Sequence, residues 1–282
     1  MEEIKVCAGI VLYNPDIGRL SDNISSIISQ VNEIVLIDNA SDNKEEIQEL
    51  ISGNTKKISC IRNNSNCGIA YALNQILKFA ENHGYPLFLT LDQDSVCCES
   101  LVNEYLNCWN EKIGQLTCNV FDRNAGEVDK VDFNGKGKTE IEYCITSGSA
   151  NNTKAIRKIG GYNEYLFIDG VDLDLSLRLR EAGYSIVRID YDGLMHQIGE
   201  GGQVSVLGKD ISLSNHSPWR NYYARRNMIY VARRHYRGIR KAKMIGKQII
   251  YAIGVVLIEN QKANRLKQNC KGVLDGFKMP LY

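Results

Sequence analysis

The chain has 282 residues, 44% hydrophobic and 24% charged, with a formal net charge of +1. That is ordinary globular composition with enough apolar material for a large core. No run reaches the roughly eighteen consecutive apolar residues of a transmembrane helix. The opening MEEIKVCAGIVLYNP is acidic and too short in its apolar run for a signal peptide. Nine cysteines, with no C-x-x-C pair, read as reduced thiols of a cytosolic protein, not a disulfide frame or a zinc site. The small net charge hides an asymmetry. Residues 211–282 hold 15 Lys or Arg against Glu259 and Asp275, whereas residues 1–210 hold 19 basic and 31 acidic residues. An acidic body therefore carries a basic C-terminal segment, which seeks phosphates, anionic lipid or nucleic acid.

In chain order, IKVCAGIVLY (4–13) reads as a strand, followed by a helical stretch over about 19–30. EIVLIDNAS (33–41) is a second strand, with a helix near 44–52 after it, and KISCIRN (57–63) is a third. IAYALNQILKFAENHG (69–84) has helical spacing and a closing Gly84, and LFLTLD (87–92) is a buried strand. Alternating strands and helices imply an α/β fold, a mainly parallel sheet with helices on both faces. In such sheets ligands bind beyond the carboxyl ends of the strands. Those ends are polar here: Tyr13 and Asn14, Asp38 and Asn39, Asn63 and Asn64, Asp92 and Asp94. Residues 115–146 are less regular and add mixed strands. YCITSGSAN (143–151) reads as a strand, Val171 to Ala182 as a helix, and SIVRIDYDGLMHQIG (185–199) as a strand ending near His196. There is no internal repeat, low-complexity tract or clear linker. The boundary falls between a domain over 1–210 and a basic helical extension over 211–282 packed on it.

If the fourth strand persists through LDQD, Asp92 and Asp94 lie on one face, about 7 Å apart. Hard carboxylate oxygens then suit Mg²⁺ or Mn²⁺, with substrate phosphates completing the shell. The plainer reading is that both acids only begin a polar turn. Asp172 likewise reads two ways, as a functional carboxylate or as an acid complementing a helix dipole. Asp169, a candidate N-cap, and Asp174 compete with it, and Arg178 can pair with one of these acids.

The order DNAS, NNSNCGIAYALN, LDQDS, FIDGVDLDLSLRLR and then HQIG resembles the inverting glycosyltransferases of family 2, which have the GT-A fold. The resemblance covers about 5–200 and is most like the rhamnosyltransferase branch. It implies that Tyr13, Asn14, Asp38, Asn66, Gly68, Ala70 and Asp92 bind the nucleotide donor. It implies metal ligation by Asp94, Asp92 and His196, with Mg²⁺ or Mn²⁺ as cofactor, and Asp172 as catalytic base. Val171 stands where many relatives carry an acid. The implied donor is a dTDP- or UDP-sugar, foremost dTDP-rhamnose. The implied acceptor is a polyprenyl-diphosphate-linked glycan of a surface polysaccharide such as O-antigen or capsule.

Residues 217–260 carry ten basic residues and read as helical, with a break at Gly238. Arg225 or Arg226 could reach a diphosphate, and Arg226 is the donor-binding candidate. MIGKQIIYAIGVVLI beside the Lys/Arg cluster could lie on anionic lipid, placing a cytoplasmic protein peripherally on the inner membrane. No nucleic-acid-binding motif accompanies the charge. DQDSV also fits a haloacid-dehalogenase-like phosphatase with Asp92 as nucleophile, and a third reading is a non-catalytic nucleotide-sugar binder. Neither G-x-G-x-x-G nor a P-loop is present, which disfavours dehydrogenase and P-loop chemistry.

Overall fold

The computed structural model describes residues 4–54, 56–122, 126–127, 131–196, 202–206, 209–213, 217–258 and 262–281. The chain divides into two compact units, Met1–Tyr165 with Asp172–Gln197 and Leu166–Val171 with Ile198–Tyr282.

The first unit opens with three strand–helix steps: β1 (Val6–Leu12), α1 (Ile17–Ile27), β2 (Glu33–Asp38), α2 (Lys44–Ile51), β3 (Ile58–Arg62) and α3 (Ile69–Asn82). It continues with β4 (Leu87–Asp92), β5 (Val96–Cys97), α4 (Leu101–Cys108), β6 (Ile113–Asp122), β7 (Gly126–Glu127), β8 (Lys138–Glu140), β9 (Ser149–Asn152), α5 (Thr153–Lys158), α6 (Val171–Glu181) and β10 (Ser185–His196). One mixed sheet runs β3-β2-β1-β4-β9-β6-β10-β5, with β7 beside β6 and β8 beside β10. β1, β2, β3 and β4 are parallel, and β9 runs antiparallel between β4 and β6. Six of the seven residues of β1 are buried, as a strand covered on both faces requires. The core beneath gathers Ile10, Leu12, Leu20, Ile34, Leu36, Leu89 and Leu91.

Register decides where the polar strand ends go. Leu12 of β1 lies opposite Asp38 of β2, Asp38 lies opposite Arg62 of β3, and Val11 lies opposite Asp92 of β4. Four strands thus finish level with one another at one edge. β1 has β2 on one side and β4 on the other, the order reversal at which open α/β sheets form a ligand crevice.

Residues 143–151 differ from the expected strand. Only Ser149–Asn152 pairs, while the apolar Tyr143 and Ile145 before it are exposed. The pairing segment is polar because its side chains satisfy one another inside the sheet. The Asn151 amide donates to Thr90 Oγ1 at 3.0 Å, and Gln115 Nε2 donates to Asn151 Oδ1 at 2.9 Å. Ser176 Oγ of α6 donates to Gln115 Oε1 at 2.6 Å. This buried chain ties β4, β9 and β6 to α6, and a fully partnered polar network rigidifies what it joins.

Among its described residues the second unit holds a two-stranded antiparallel ladder, β11 (Gly202–Val206) with β12 (Lys209–Leu213), and the helices α7 (Pro218–His235), α8 (Gly238–Ile258) and α9 (Lys262–Lys278). The break at Gly238 occurs as expected, with φ +53° there. α7 and α9 approach closely because Gly272 and Gly276 face α7. A Cβ at Gly272 would meet the Tyr222 carbonyl oxygen at 2.4 Å, and one at Gly276 the Arg226 carbonyl oxygen at 2.6 Å.

Candidate active site

The edge formed by β1, β2, β3 and β4 holds two interlocked polar networks. In the first, Asp38 is buried at the end of β2, and its Oδ1 accepts the Ser41 N–H at 2.8 Å. Its Oδ2 is ion-paired with Arg62, which also donates to the Ser41 carbonyl at 2.8 Å. Ser41 Oγ accepts the Asn14 N–H at 2.9 Å, and Asn14 Oδ1 accepts the Asp42 N–H at 2.7 Å. Asn14 has φ +48°, a left-handed conformation that an Asn tolerates because its short side chain bonds locally. In the second network, Asn63 Nδ2 donates to Asn39 Oδ1 at 2.8 Å, and Asn63 exchanges both amide hydrogen bonds with Gln75 at 2.9 Å. Asn39 Nδ2 reaches the Gly68 carbonyl at 3.2 Å, and Asn66 Oδ1 accepts the Gly68 N–H at 3.0 Å. Asn66, Gly68 and the buried Ala70 therefore form the entry to α3 beside Asn39. Tyr13 closes the edge, half exposed.

β4 ends at Asp92, and Gln93 and Asp94 form a turn. The expected placement of Asp92 and Asp94 on one strand face does not hold. The cause is Gln93: its Oε1 accepts the Tyr13 N–H at 2.9 Å and its Nε2 donates to the Tyr13 carbonyl at 3.4 Å. The side chain mimics a strand neighbour to the end of β1 and bends the chain. The backbone of Asp92 is held on both sides, its N–H on Ser147 Oγ at 3.1 Å and its carbonyl on Asn23 Nδ2 at 2.6 Å. Both carboxylates are half-buried.

The three acids near α6 separate by partner. Asp174 is buried and ion-paired with Arg178 at 2.7 Å, whose guanidinium also donates to the Ile159 and Gly161 carbonyls. Asp169 pairs with Arg220 at 3.2 Å. Asp169 is not the N-cap, because it has φ +63° and Gly170 (φ +79°) stands between it and the first helical residue, Val171. Asp172 is half-buried in the first turn, and its Oδ1 accepts the Leu173 N–H at 2.8 Å. Buried Cys144 lies close by: burial first, and the charge of Asp172 after it, push its thiol up to about 12.

His196 ends β10 with its backbone opposite Asp122, and its side chain lies outside the described residues. Among the described residues no three His, Cys, Asp or Glu side chains gather to hold a metal. Asp92 and Asp94 supply two hard oxygen donors at the carboxyl end of β4, a set that fits a divalent cation which completes its shell with water and a diphosphate. Arg226 belongs to the second unit, where its Nε donates to Asn227 Oδ1 at 2.8 Å and its guanidinium lies 4.6 Å over the Tyr223 ring. A cavity of about 1020 Å³, lined by Lys5, Tyr85, Lys154 and Arg157 among others, opens at the opposite, amino ends of β1 and β4 and contains none of these residues.

The model of the family described as "Glycosyl transferase family 2" matches residues 7–156, from β1 through the start of α5. The chain belongs to glycosyl transferase family 2. Over 97% of its length it is 25% identical to "dTDP-rhamnosyl transferase RfbF" of Shigella flexneri, of which 95% is covered. Among solved structures it resembles the mannosyltransferase PcManGT from Pyrobaculum calidifontis in complex with GDP-Man and Mn²⁺, with TM-score 0.60 and 11% identity over 99% of this chain and 76% of that one. It also resembles S. aureus TarS 1–349 in complex with UDP-GlcNAc, with TM-score 0.62 and 14% identity over 96% of this chain and 81% of that one. The fold is GT-A, and the protein is a glycosyltransferase. Asp92 ends the fourth strand of its sheet, not the first, so the phosphoryl-nucleophile alternative lacks its usual setting.

Sequence reasoning missed Gln93, Ser41, Arg62 and Ser147. Arg62 closes β3, so the strand-end rule that found Asp38 could have found it. Nothing local signals Gln93 or Ser147, whose roles depend on which strands are neighbours.

Proposed function

We propose that this glycosyltransferase moves L-rhamnose from dTDP-rhamnose, with inversion, onto a lipid-linked oligosaccharide in surface-polysaccharide synthesis. The observation that carries this reading is the level edge of β1 to β4, where an oriented Asp38 and the Asp92/Asp94 turn stand at the ends of neighbouring strands in a family 2 chain. The end-to-end likeness to a dTDP-rhamnosyl transferase supports the donor.

Asp38 reads the pyrimidine, accepting its ring N–H, while Arg62 and the Ser41 N–H hold the carboxylate in place. Tyr13, Asn14, Asn66, Gly68 and Ala70 line the nucleoside. Asp94 and Asp92, with His196, would hold Mg²⁺ or Mn²⁺, and Arg226 is assigned to the diphosphate. The bound ion supplies charge neutralisation on the departing diphosphate. Asp172 accepts the proton of the acceptor hydroxyl as its oxygen bonds to the sugar anomeric carbon. The bond from that carbon to the diphosphate breaks with its electron pair on dTDP, and the configuration inverts.

No helix among the described residues is long and apolar enough to cross a membrane. α8 instead turns Ile239 and Ile250 to solvent, 75% and 73% exposed, on the same face as Lys243 and flanked by Arg240 and Lys247. Such a face suits peripheral contact with the anionic surface that carries a polyprenyl-diphosphate acceptor.

Calorimetric titration with dTDP, UDP and GDP, each with and without Mn²⁺, tests the proposal. Metal-dependent binding of dTDP is expected. Preference for GDP, or no binding of any nucleotide, overturns the donor assignment.

A further inference from the structure

We propose that Trp219, with Phe167, Tyr223 and the Asp169–Arg220 pair, forms a subsite for a pyranose ring of the acceptor glycan. The inference rests on the glycosyl-transfer reading and deepens it by placing acceptor recognition in the second unit.

Trp219 stands in the first turn of α7, after Pro218 and the capping Ser217. Phe167 meets its ring edge-on, with centroids 5.6 Å apart and planes at 87°. Tyr223, one helical turn on, lies 4.8 Å away at 60°. Phe167 and Tyr223 stack on each other at 5.1 Å, and Arg226 covers Tyr223. The indole is thus gripped by aromatic neighbours and still 48% exposed. A cluster serving only to glue a loop to a helix would bury its largest ring.

The loop beneath is strained in a way that serves this arrangement. Phe167 and Asp169 have φ +59° and +63°, left-handed values that cost a bulky L-residue free energy and persist only where the surroundings over-determine them. Buried Asn227 does so: its Nδ2 lies 2.5, 2.6 and 2.8 Å from the carbonyls of Leu166, Ile168 and Asp169. The two left-handed residues bring forward the ring of Phe167 and the carboxylate of Asp169. Asp169 in turn pairs with Arg220, next to Trp219 in sequence, and both side chains remain partly open to solvent.

An exposed apolar ring face bordered by one acid and one guanidinium matches the two surfaces of a pyranose. The C–H groups of one sugar face pack on the indole, and the hydroxyls around the rim find an acceptor in Asp169 and donors in Arg220. Asp172, the proposed base, follows Asp169 by three residues in the chain.

The chain has two tryptophans, Trp109 and Trp219. In a Trp109→Phe background, Trp219 emission is followed during titration with methyl α-rhamnoside, methyl α-glucoside and methyl N-acetylglucosaminide. A saturable change with at least one of them is expected. In turnover assays, Trp219→Ala should raise the acceptor KM about tenfold, as loss of one stacking surface predicts, with the donor KM moved far less. Trp219→Phe should recover part of the loss. Emission unmoved by every pyranoside, a change with anionic lipid vesicles alone, or an unchanged acceptor KM in Trp219→Ala overturns the subsite. Failure of the transfer reading shows differently, as no nucleotide-sugar turnover by the unmodified chain, and the fluorescence titration still decides whether Trp219 binds sugar.

Discussion

Asp169, Asp172 and Asp174 lie within six residues, and their partners sort them. Asp174 is fully buried against Arg178, an arrangement whose disruption leaves an uncompensated charge and costs stability before it costs chemistry. Asp172 stands in the first turn of α6 with its Oδ1 on the Leu173 N–H, and it is the acid assigned to proton removal. Asp172→Asn preserves size and should keep dTDP binding while lowering kcat about 100-fold or more, the scale of general-base loss. Full turnover by that variant, measured as dTDP release with acceptor present, refutes the assignment. Asp94→Ala should behave oppositely. It removes a hard oxygen donor from the turn after β4, so the Mn²⁺-dependent part of nucleotide affinity falls. Calorimetry that finds this increment intact moves the metal elsewhere.

At the scale of elements, α3 and β1 to β4 were legible because their cues are local: helical apolar spacing over 69–82 and continuous apolar runs ending in polar residues. β9 was misread for a physical reason. A strand paired on both edges inside the sheet ordinarily hides apolar side chains, yet this one hides Ser149 and Asn151, which only their partners Thr90 and Gln115 make tolerable. The α7–α9 contact was equally silent, since Gly272 and Gly276 inside a helix look merely unfavourable until α7 is laid against them. Gly272→Ala places a methyl on the Tyr222 carbonyl oxygen and should cost about 1–3 kcal/mol by forcing the helices apart. Chemical denaturation followed by Trp219 fluorescence checks this. No loss of stability would mean that the helices can separate freely.

Across the whole molecule, all nine cysteines are free, and several are deeply buried. Burial pushes the Cys118 thiol up to about 11 and Cys144 to about 12, and it also raises the thiols of Cys7 and Cys97 and the phenols of Tyr105 and Tyr162. The sign follows from linkage. The unfolded chain loses these thiol protons near pH 9 while the folded chain keeps them, so folding stability falls as pH rises from there toward each folded value. One pH unit above the unfolded value, each such thiol costs roughly 1 kcal/mol. The urea midpoint should therefore drop between pH 8 and pH 10, and Cys144→Ala should show a shallower drop. A flat profile would show that these thiols titrate alike in both states.

By itself the sequence determined the α/β class, the family and the identity of the strand-end acids, because periodicity, composition and motif order are written in neighbouring residues. Only the tertiary structure decided which strand ends lie side by side, that Gln93 ties the turn after Asp92 to Tyr13, and which arginines Asp169 and Asp174 pair with. Those outcomes depend on register and on contacts between residues as far apart as Tyr13 and Gln93, or Asp169 and Arg220, and no local pattern encodes a partner that distant.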